Sequence, residues 1–444
     1  MLFKQFVDED LGCASYLVGD EEAGEAAVVD PAYAIEPYVE AAKHYKVELT
    51  HVLETHTHAD HVSGHGRFAL EHGVPVAIHP TAEPEFEFEP LEDGAEFELG
   101  QVLVRVIHTP GHRPEHCVFA VVDRSRGDEP WLTLTGDSLL VGDTARPDLA
   151  GEAREGAQGL YRSLQRLLEL PDGVEVYPGH VAGSLCGAGM SSKASTTIGF
   201  ERRFNHKLTL AAEEFVSESA GNGALRPPNM DRIVAINRGP FVGAPKALER
   251  VSSAEGAVLL DVRAAGAFAA GHAHGAINVP VSGSQFPTRA AFVLDPDRRI
   301  VLHGSTGEVE RAARGLRAVG FLNLGGYVPE TDQSETFDPV ELDELEQLFA
   351  SGEVQVLDVR EKEERDDGYI PESRHIPYRR VGDFAHELGD DGPVVTICAT
   401  GARASLAASI LAAEGVPARP VLGAGVADWQ EAGKPTASFR RCGS

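Results

Sequence analysis

The chain lacks paired cysteines. Its five, Cys13, Cys117, Cys186, Cys398 and Cys442, are scattered, odd in number and free of CxxC spacing, which argues against a disulfide framework and for a reducing compartment. Basic charge is scarce too: 39 Lys and Arg face 69 Asp and Glu, for a net charge of -30. Phosphate binding needs a basic face, so neither nucleic acid nor an anionic membrane is expected as a partner. The acidic excess favours solubility instead. Long apolar runs are missing as well, both at the N-terminus and elsewhere, so no signal peptide or membrane span is expected. The expectation is a soluble cytoplasmic enzyme.

What is present is ordinary in bulk and unusual in pattern. Hydrophobic residues make up 42% and charged residues 24% of 444, a length that at about 100 to 200 residues per domain means two to four domains. Directly behind the apolar run Leu49 to Leu53 stands His56-Thr57-His58-Ala59-Asp60-His61. Three imidazoles and a carboxylate in one loop have the density of a metal site, because neutral imidazole and carboxylate are ligands of iron, zinc and manganese. Further candidates follow strand-like runs: His108, His112 after Pro110-Gly111, Asp137 after Gly136, and His180 after Pro178-Gly179. A Pro-Gly turn fixes the backbone ahead of each ring. Solvated surface histidines would not be spaced this way.

To about residue 200, short apolar runs alternate with Gly, Asp and Pro turns, which predicts a two-layered sheet core flanked by helices with the site at one edge. The segment Ser191 to Phe215 reads as helical cover, and Arg226-Pro227-Pro228-Asn229 as the start of a linker. The remainder is duplicated. Leu259-Leu260-Asp261-Val262-Arg263 and Val356-Leu357-Asp358-Val359-Arg360 stand 97 residues apart, as do Pro280 and Pro377, a period too long for a solenoid and right for a repeated α/β domain.

In the second copy the buried-strand run Val394 to Ile397 ends at Cys398-Ala399-Thr400-Gly401-Ala402-Arg403, just before an Ala-rich helical stretch. A cysteine between a strand end and a helix N-terminus sits among unpaired amides that favour the thiolate, and Arg403 adds a cation. In the first copy Gly304 stands where the cysteine would be and Val309 replaces the arginine. That copy reads as a packing or docking unit.

The His56 cluster with Thr109-Pro110-Gly111-His112, Gly136-Asp137 and His180 resembles the metallo-β-lactamase fold superfamily, and within it the persulfide dioxygenases and the glyoxalase II thioester hydrolases. The duplicated half resembles rhodanese domains, whose six-residue active loop is matched by Cys398 to Arg403. The phosphatase relatives of that fold use a loop one residue longer. Nearly the whole chain thus resembles a persulfide dioxygenase-rhodanese fusion, which implies an α/β protein: an N-terminal metallo-β-lactamase αββα sandwich (1–240), a degenerate rhodanese-like domain (241–335) and an active one (336–444).

The resemblance implies one Fe(II) per chain on His56, His112 and Asp137, with His58, Asp60, His61 and His180 in support or, in a dinuclear hydrolase, as ligands. It implies oxidation of a thiol persulfide by O2 to sulfite and thiol, with glutathione persulfide as the expected substrate, and sulfur transfer through Cys398 and Arg403 involving sulfite or thiosulfate. Lys193, Arg202 and Arg203 are candidate contacts for glutathione carboxylates, and Tyr177 a candidate pocket residue. Arg146 and Asp148 are expected to brace the Asp137 loop as an ion pair. A homo-oligomer is compatible with all of this. The alternatives are a dinuclear glutathione thioester hydrolase with an appended sulfur carrier, and a C-terminal half that senses persulfide and docks partner proteins.

Overall fold

Strand alternation sorts the side chains of the N-terminal half onto two faces. In β3 (Glu25–Val29), Ala27 and Val29 point to one buried cluster, while Ala26 and Val28 join another with Ile35 and Tyr38. The computed structural model describes residues 1–149, 151–181, 191, 193–221, 226–283, 285–389 and 392–439; Cys186 and Cys442 lie outside them. It resolves into two compact units, 1–245 with 317–320, and 246–316 with 321–444.

The first unit contains two six-stranded sheets. One runs β1 (Leu2–Asp8), β2 (Cys13–Asp20), β3, β4 (Glu48–Leu53), β5 (Val76–Ile78), β6 (Glu89–Pro90). The other is formed, in chain order, by β7 (Glu96–Leu99), β8 (Val102–His108), β9 (Cys117–Asp123), β10 (Pro130–Gly136), β11 (Glu175–Pro178) and β12 (Thr196–Thr197), which lie side by side in that order. Their facing sides share one core in which Tyr16, Val18, Val29 and Leu53 meet Val104, Phe119, Val121 and Leu134. The outer face of the first sheet is covered by helix Glu36–Tyr45 through Tyr38, Ala41 and Ala42. The outer face of the second is covered by helix Ala153–Leu167, whose Ala157, Leu160, Leu164 and Leu167 recur at helical spacing. This is the expected αββα sandwich. Each fully buried Val, Leu or Phe stabilises it by roughly 1.5–3 kcal/mol, a margin that allows polar groups to be buried at its edge.

Connections place those polar groups. His56, His112, Asp137 and His180 all follow the C-terminal ends of strands, β4, β8, β10 and β11, while Cys13 at the start of antiparallel β2 bridges to His180. The segment after Arg226, expected as linker, is instead helix Met230–Arg238. Its buried Asn237 donates to the carbonyls of His58 (3.0 Å) and His61 (2.8 Å) and accepts from Ser63 N (2.9 Å), so it pins the histidine loop. Sequence reading missed it because Pro227-Pro228 dominates the local pattern, and a proline pair just before a helix is a start signal as well as a break.

The second unit holds two four-stranded parallel sheets. The first copy has the order β14 (Ile277–Asn278), β13 (Val258–Asp261), β15 (Ile300–His303), β16 (Leu324–Val328), and the second repeats it as β18 (Arg374–His375), β17 (Gln355–Asp358), β19 (Val394–Ile397), β20 (Ala418–Pro420). Identical strand order is what duplication requires. In both copies the repeated Asp-Val-Arg forms an ion pair, Asp261 with Arg263 and Asp358 with Arg360.

Candidate metal centre and cysteine loop

Asp137 Oδ2 lies 3.4 Å from His112 Nε2 and 3.9 Å from His56 Nε2, with all three side chains buried. Hydrogen bonds at the far side of each ring decide which nitrogen is bare. Thr55 Oγ1 donates to Asp30 Oδ2 (2.8 Å), so it accepts from His56 Nδ1 (2.9 Å). His112 Nδ1 donates to the Arg146 carbonyl (2.8 Å). Each Nε2 therefore presents a lone pair to the carboxylate. Burial and the neighbouring rings keep His56 well below the ordinary histidine range, and burial also lowers His112. Burial would raise Asp137, but His180 and His112 hold it well below the usual carboxylate range. Three electron-rich atoms facing one point repel one another unless a cation lies between them, so the donor set fits a divalent metal.

The other candidates around this set have partners of their own. His180 lies between Asp137 Oδ1 (2.6 Å, through Nδ1) and Asp60 Oδ2 (2.8 Å, through Nε2), which leaves Asp137 Oδ2 to face the histidines. His116 Nε2 accepts from Asp137 N (2.9 Å) while its Nδ1 donates to Thr109 Oγ1 (2.8 Å), and burial pushes this ring down to about 3. His58 is turned into a different pocket, with Nε2 3.3 Å from Asp30 Oδ1 and 3.2 Å from Glu54 Oε2. Burial would lower His58, but these carboxylates raise it well above its ordinary range. Asp60, His61 and Cys13 form a third group, in which Cys13 Sγ donates to Asp60 Oδ2 at 3.1 Å. Removing the Thr55 hydroxyl by Thr55→Val is expected to weaken metal binding roughly 10–100-fold, the usual effect of losing an outer partner of a ligand. Competition against a chelator measures it, and unchanged affinity would remove Thr55 from the account.

In the second unit, Cys398 follows β19 and is buried, and its Sγ accepts from Gly401 N at 3.1 Å. Gly401 has φ 97, and a Cβ there would stand 3.0 Å from Gly423 N and Leu422 Cα, so the turn into helix Ala402–Ala413 needs glycine. Arg403 makes a forked ion pair with Glu364, Nη1 to Oε2 at 2.5 Å and Nη2 to Oε1 at 2.7 Å. In the first copy the corresponding loop follows β15 at Gly304, and Ser305 N and Oγ donate to Glu308 Oε2 (2.9 and 2.6 Å). An internal carboxylate thus takes the amide next to the missing cysteine.

The Metallo-beta-lactamase superfamily matches residues 8–180, and the Rhodanese-like domain matches 244–328 and 341–432. An uncharacterized protein of Mycobacterium leprae is 33% identical over 233 residues, 46% of this chain and 97% of that protein. The chain belongs to the metallo-beta-lactamase superfamily, with two rhodanese-like domains behind that domain. The human mitochondrial persulfide dioxygenase ETHE1 is 29% identical over 244 residues, 54% of this chain and 89% of that protein. A metallo-beta-lactamase crystal structure from Staphylococcus aureus has TM-score 0.69 at 28% identity, covering 74% of this chain and 99% of that one.

Within the metallo-beta-lactamase domain, the structure brings together His56, His112 and Asp137, sets His180 and then Asp60 directly behind Asp137, His58 beside His56 and His61 beside His58, and engages the remaining candidates elsewhere. The His108 ring stacks on His79 at 4.0 Å and its Nε2 meets the Pro114 carbonyl at 2.8 Å. Tyr177 donates to Glu175 Oε2 (3.1 Å) and its ring lies 4.6 Å from Phe3. Arg202 is bound by Asp172 and the Leu168 carbonyl, Lys193 lies over the Phe200 ring at 5.8 Å and Arg203 over Phe204 at 5.4 Å. Arg146 and Asp148 form the expected brace through two 2.7 Å contacts, directly beside the carbonyl that orients His112. Asp30, Glu54, Cys13 and His116 belong to the site and were not singled out by sequence. Only His116, in His112-Arg113-Pro114-Glu115-His116, carried a local signal.

Proposed function

We propose that the N-terminal domain, taken as residues 1–240, is an Fe(II)-dependent persulfide dioxygenase, and that Cys398 in the last domain, taken as 336–444, transfers sulfane sulfur. The degenerate domain between them is taken as 241–335. The observation that carries the reading is the convergence of His56, His112 and Asp137, with the neighbouring His58 ring facing Asp30 and Glu54 instead. The similarity to a relative named persulfide dioxygenase supports the substrate class, and the rhodanese-like half supports sulfur handling. A ferrous ion on two histidines and one carboxylate supplies redox chemistry with positions open to other ligands.

The chain's own residues prepare that chemistry. Thr55 and the Arg146 carbonyl fix the ring tautomers, and His180 holds one oxygen of Asp137 away from the triad. The overall reaction joins a thiol persulfide, O2 and water to give thiol and sulfite. Glutathione persulfide is the proposed form, with Lys193 and Arg203 available for its carboxylates because Arg202 is tied to Asp172. Cys398 can then take the outer sulfur of a second persulfide, releasing thiol, and pass it to sulfite to give thiosulfate, or run the same transfer in reverse. The proposed setting is the cytoplasm, consistent with the absence, among described residues, of any helix long and apolar enough to cross a membrane.

The convergence of Cys13, Asp60 and His61 favours a second reading, a dinuclear hydrolase of glutathione thioesters. An oxygen electrode separates the two. Glutathione persulfide should drive O2 uptake with one sulfite formed per O2, whereas thioester cleavage without persulfide-dependent uptake would overturn the dioxygenase reading.

A further inference from the structure

Two arginines of the second copy, Arg403 in the Cys398 loop and Arg379 beside Tyr378, are each held by a glutamate. Arg403, inside the loop, is paired with Glu364, and its guanidinium is held up in pKa partly by the Cys398 sulfur nearby. Arg379 Nε and Nη2 lie 3.2 Å from the carboxylate of Glu361. Both glutamates belong to one capping box at the start of helix Lys362–Asp367, where Glu361 N donates to Glu364 Oε2 at 3.0 Å. The carboxylates are therefore fixed by backbone as well as by the arginines, and turning either away breaks the cap. On the other side Phe292, from helix Phe286–Val293 of the degenerate copy, stands 6.3 Å from the Tyr378 ring and 5.8 Å from the Arg379 guanidinium. Tyr378 in turn has Glu361, Arg289, Arg403 and Arg379 as its charged neighbours.

We infer that Glu364, supported by Glu361, sets donor specificity at Cys398, favouring sulfane sulfur carried on an organic thiol over the thiosulfate dianion. This rests on sulfur transfer at Cys398. In the favoured step the Cys398 thiolate attacks the outer sulfur of R–S–SH. A new S–S bond forms to Sγ, the R–S bond to the outer sulfur breaks, and R–SH leaves with the proton, so Cys398 becomes a persulfide anion. With thiosulfate the same attack expels sulfite, which carries two negative charges throughout. A guanidinium whose fork is filled by a carboxylate offers little to the two charges of thiosulfate, while a thiol persulfide, with at most one charge on its sulfur pair, loses less.

The test compares thiosulfate and glutathione persulfide as donors, with cyanide as acceptor, in the full chain and in Glu364→Gln, Glu364→Asp and Glu361→Gln. Glu364→Gln should raise the thiosulfate-to-persulfide ratio of kcat/KM about tenfold, mainly through a lower KM for thiosulfate, as expected for one unmasked charge acting on a dianion. Glu361→Gln should move the ratio in the same direction by less, and Glu364→Asp, which restores the charge, should return it towards the parent value. A ratio that stays fixed in both glutamine variants overturns the inference, as does a fall in both donors together. If Glu364→Gln does not fold, Glu361→Gln carries the comparison alone. Absence of transfer from either donor in the parent chain would instead overturn sulfur transfer at Cys398 itself.

Discussion

Asp137→Asn should empty the metal centre and abolish persulfide-dependent O2 uptake while sparing sulfur transfer. The carboxylate supplies the only negative charge among the three converging groups, and Oδ2 is the atom on which His56 and His112 both close. The amide removes that charge and leaves His180, which bonds the other oxygen, to compete for the remaining acceptor. Loss of an outer partner of a ligand costs roughly 10–100-fold in metal affinity, so loss of the charged ligand should exceed about a hundredfold. Metal content after dialysis and the initial rate of O2 uptake are the readouts, with the unfolding midpoint of the metal-free parent as the control for folding. Full metal content in Asp137→Asn would remove the triad from the mechanism.

Cys398→Ser should have a comparably large effect on the other half. Serine keeps the size of the side chain and can still accept from Gly401 N, but its hydroxyl is a poor nucleophile towards sulfur and forms no persulfide. Transfer to cyanide should fall by roughly a thousandfold or more, as when a covalent nucleophile is removed. O2 uptake driven by glutathione persulfide should persist. The converse pattern, with transfer intact in Cys398→Ser, would mean that the acceptor loop lies elsewhere, and the Gly304 loop, whose Ser305 amide is taken by Glu308, offers no substitute. For the same reason Gly304→Cys alone should not create a second active loop.

Ligands and folds differed in how far sequence could reach them. His56, His112, Asp137 and His180 were legible as metal-ligand candidates because each follows a strand-like run and two of the loops carry their own turn residues, while the choice of His56, His112 and Asp137 among them came from the family resemblance. Cys398 was legible because the duplicated strand run places it at a strand end ahead of a helix. Asp30 was not. It follows Val29 as an ordinary turn aspartate, and only the pairing of β3 with β4 brings it against Thr55 and His58. Glu54 ends an apolar run and the sequence assigns it no role, but it is buried between His58, His65 and Ser63. Cys13 gave no signal because its meaning is a contact with Asp60 and His180, which are 47 and 167 residues away. The glutamates beside Arg403 and Arg379 were hidden in an acidic helix start. For Asp30, Cys13 and the two glutamates beside the arginines, the missing information was a pairing across the fold, which residue type and spacing along the chain do not encode; for Glu54 it was the fold of the loop that follows it.

The triad with His58 withheld has one direct consequence, the number and kind of metal ions. Metal analysis of protein purified without oxygen, together with O2 uptake on glutathione persulfide by the same sample, tests it. The account predicts one iron per chain and uptake proportional to that iron. Two metal ions per chain in a sample that cleaves a glutathione thioester and consumes no O2 would contradict it.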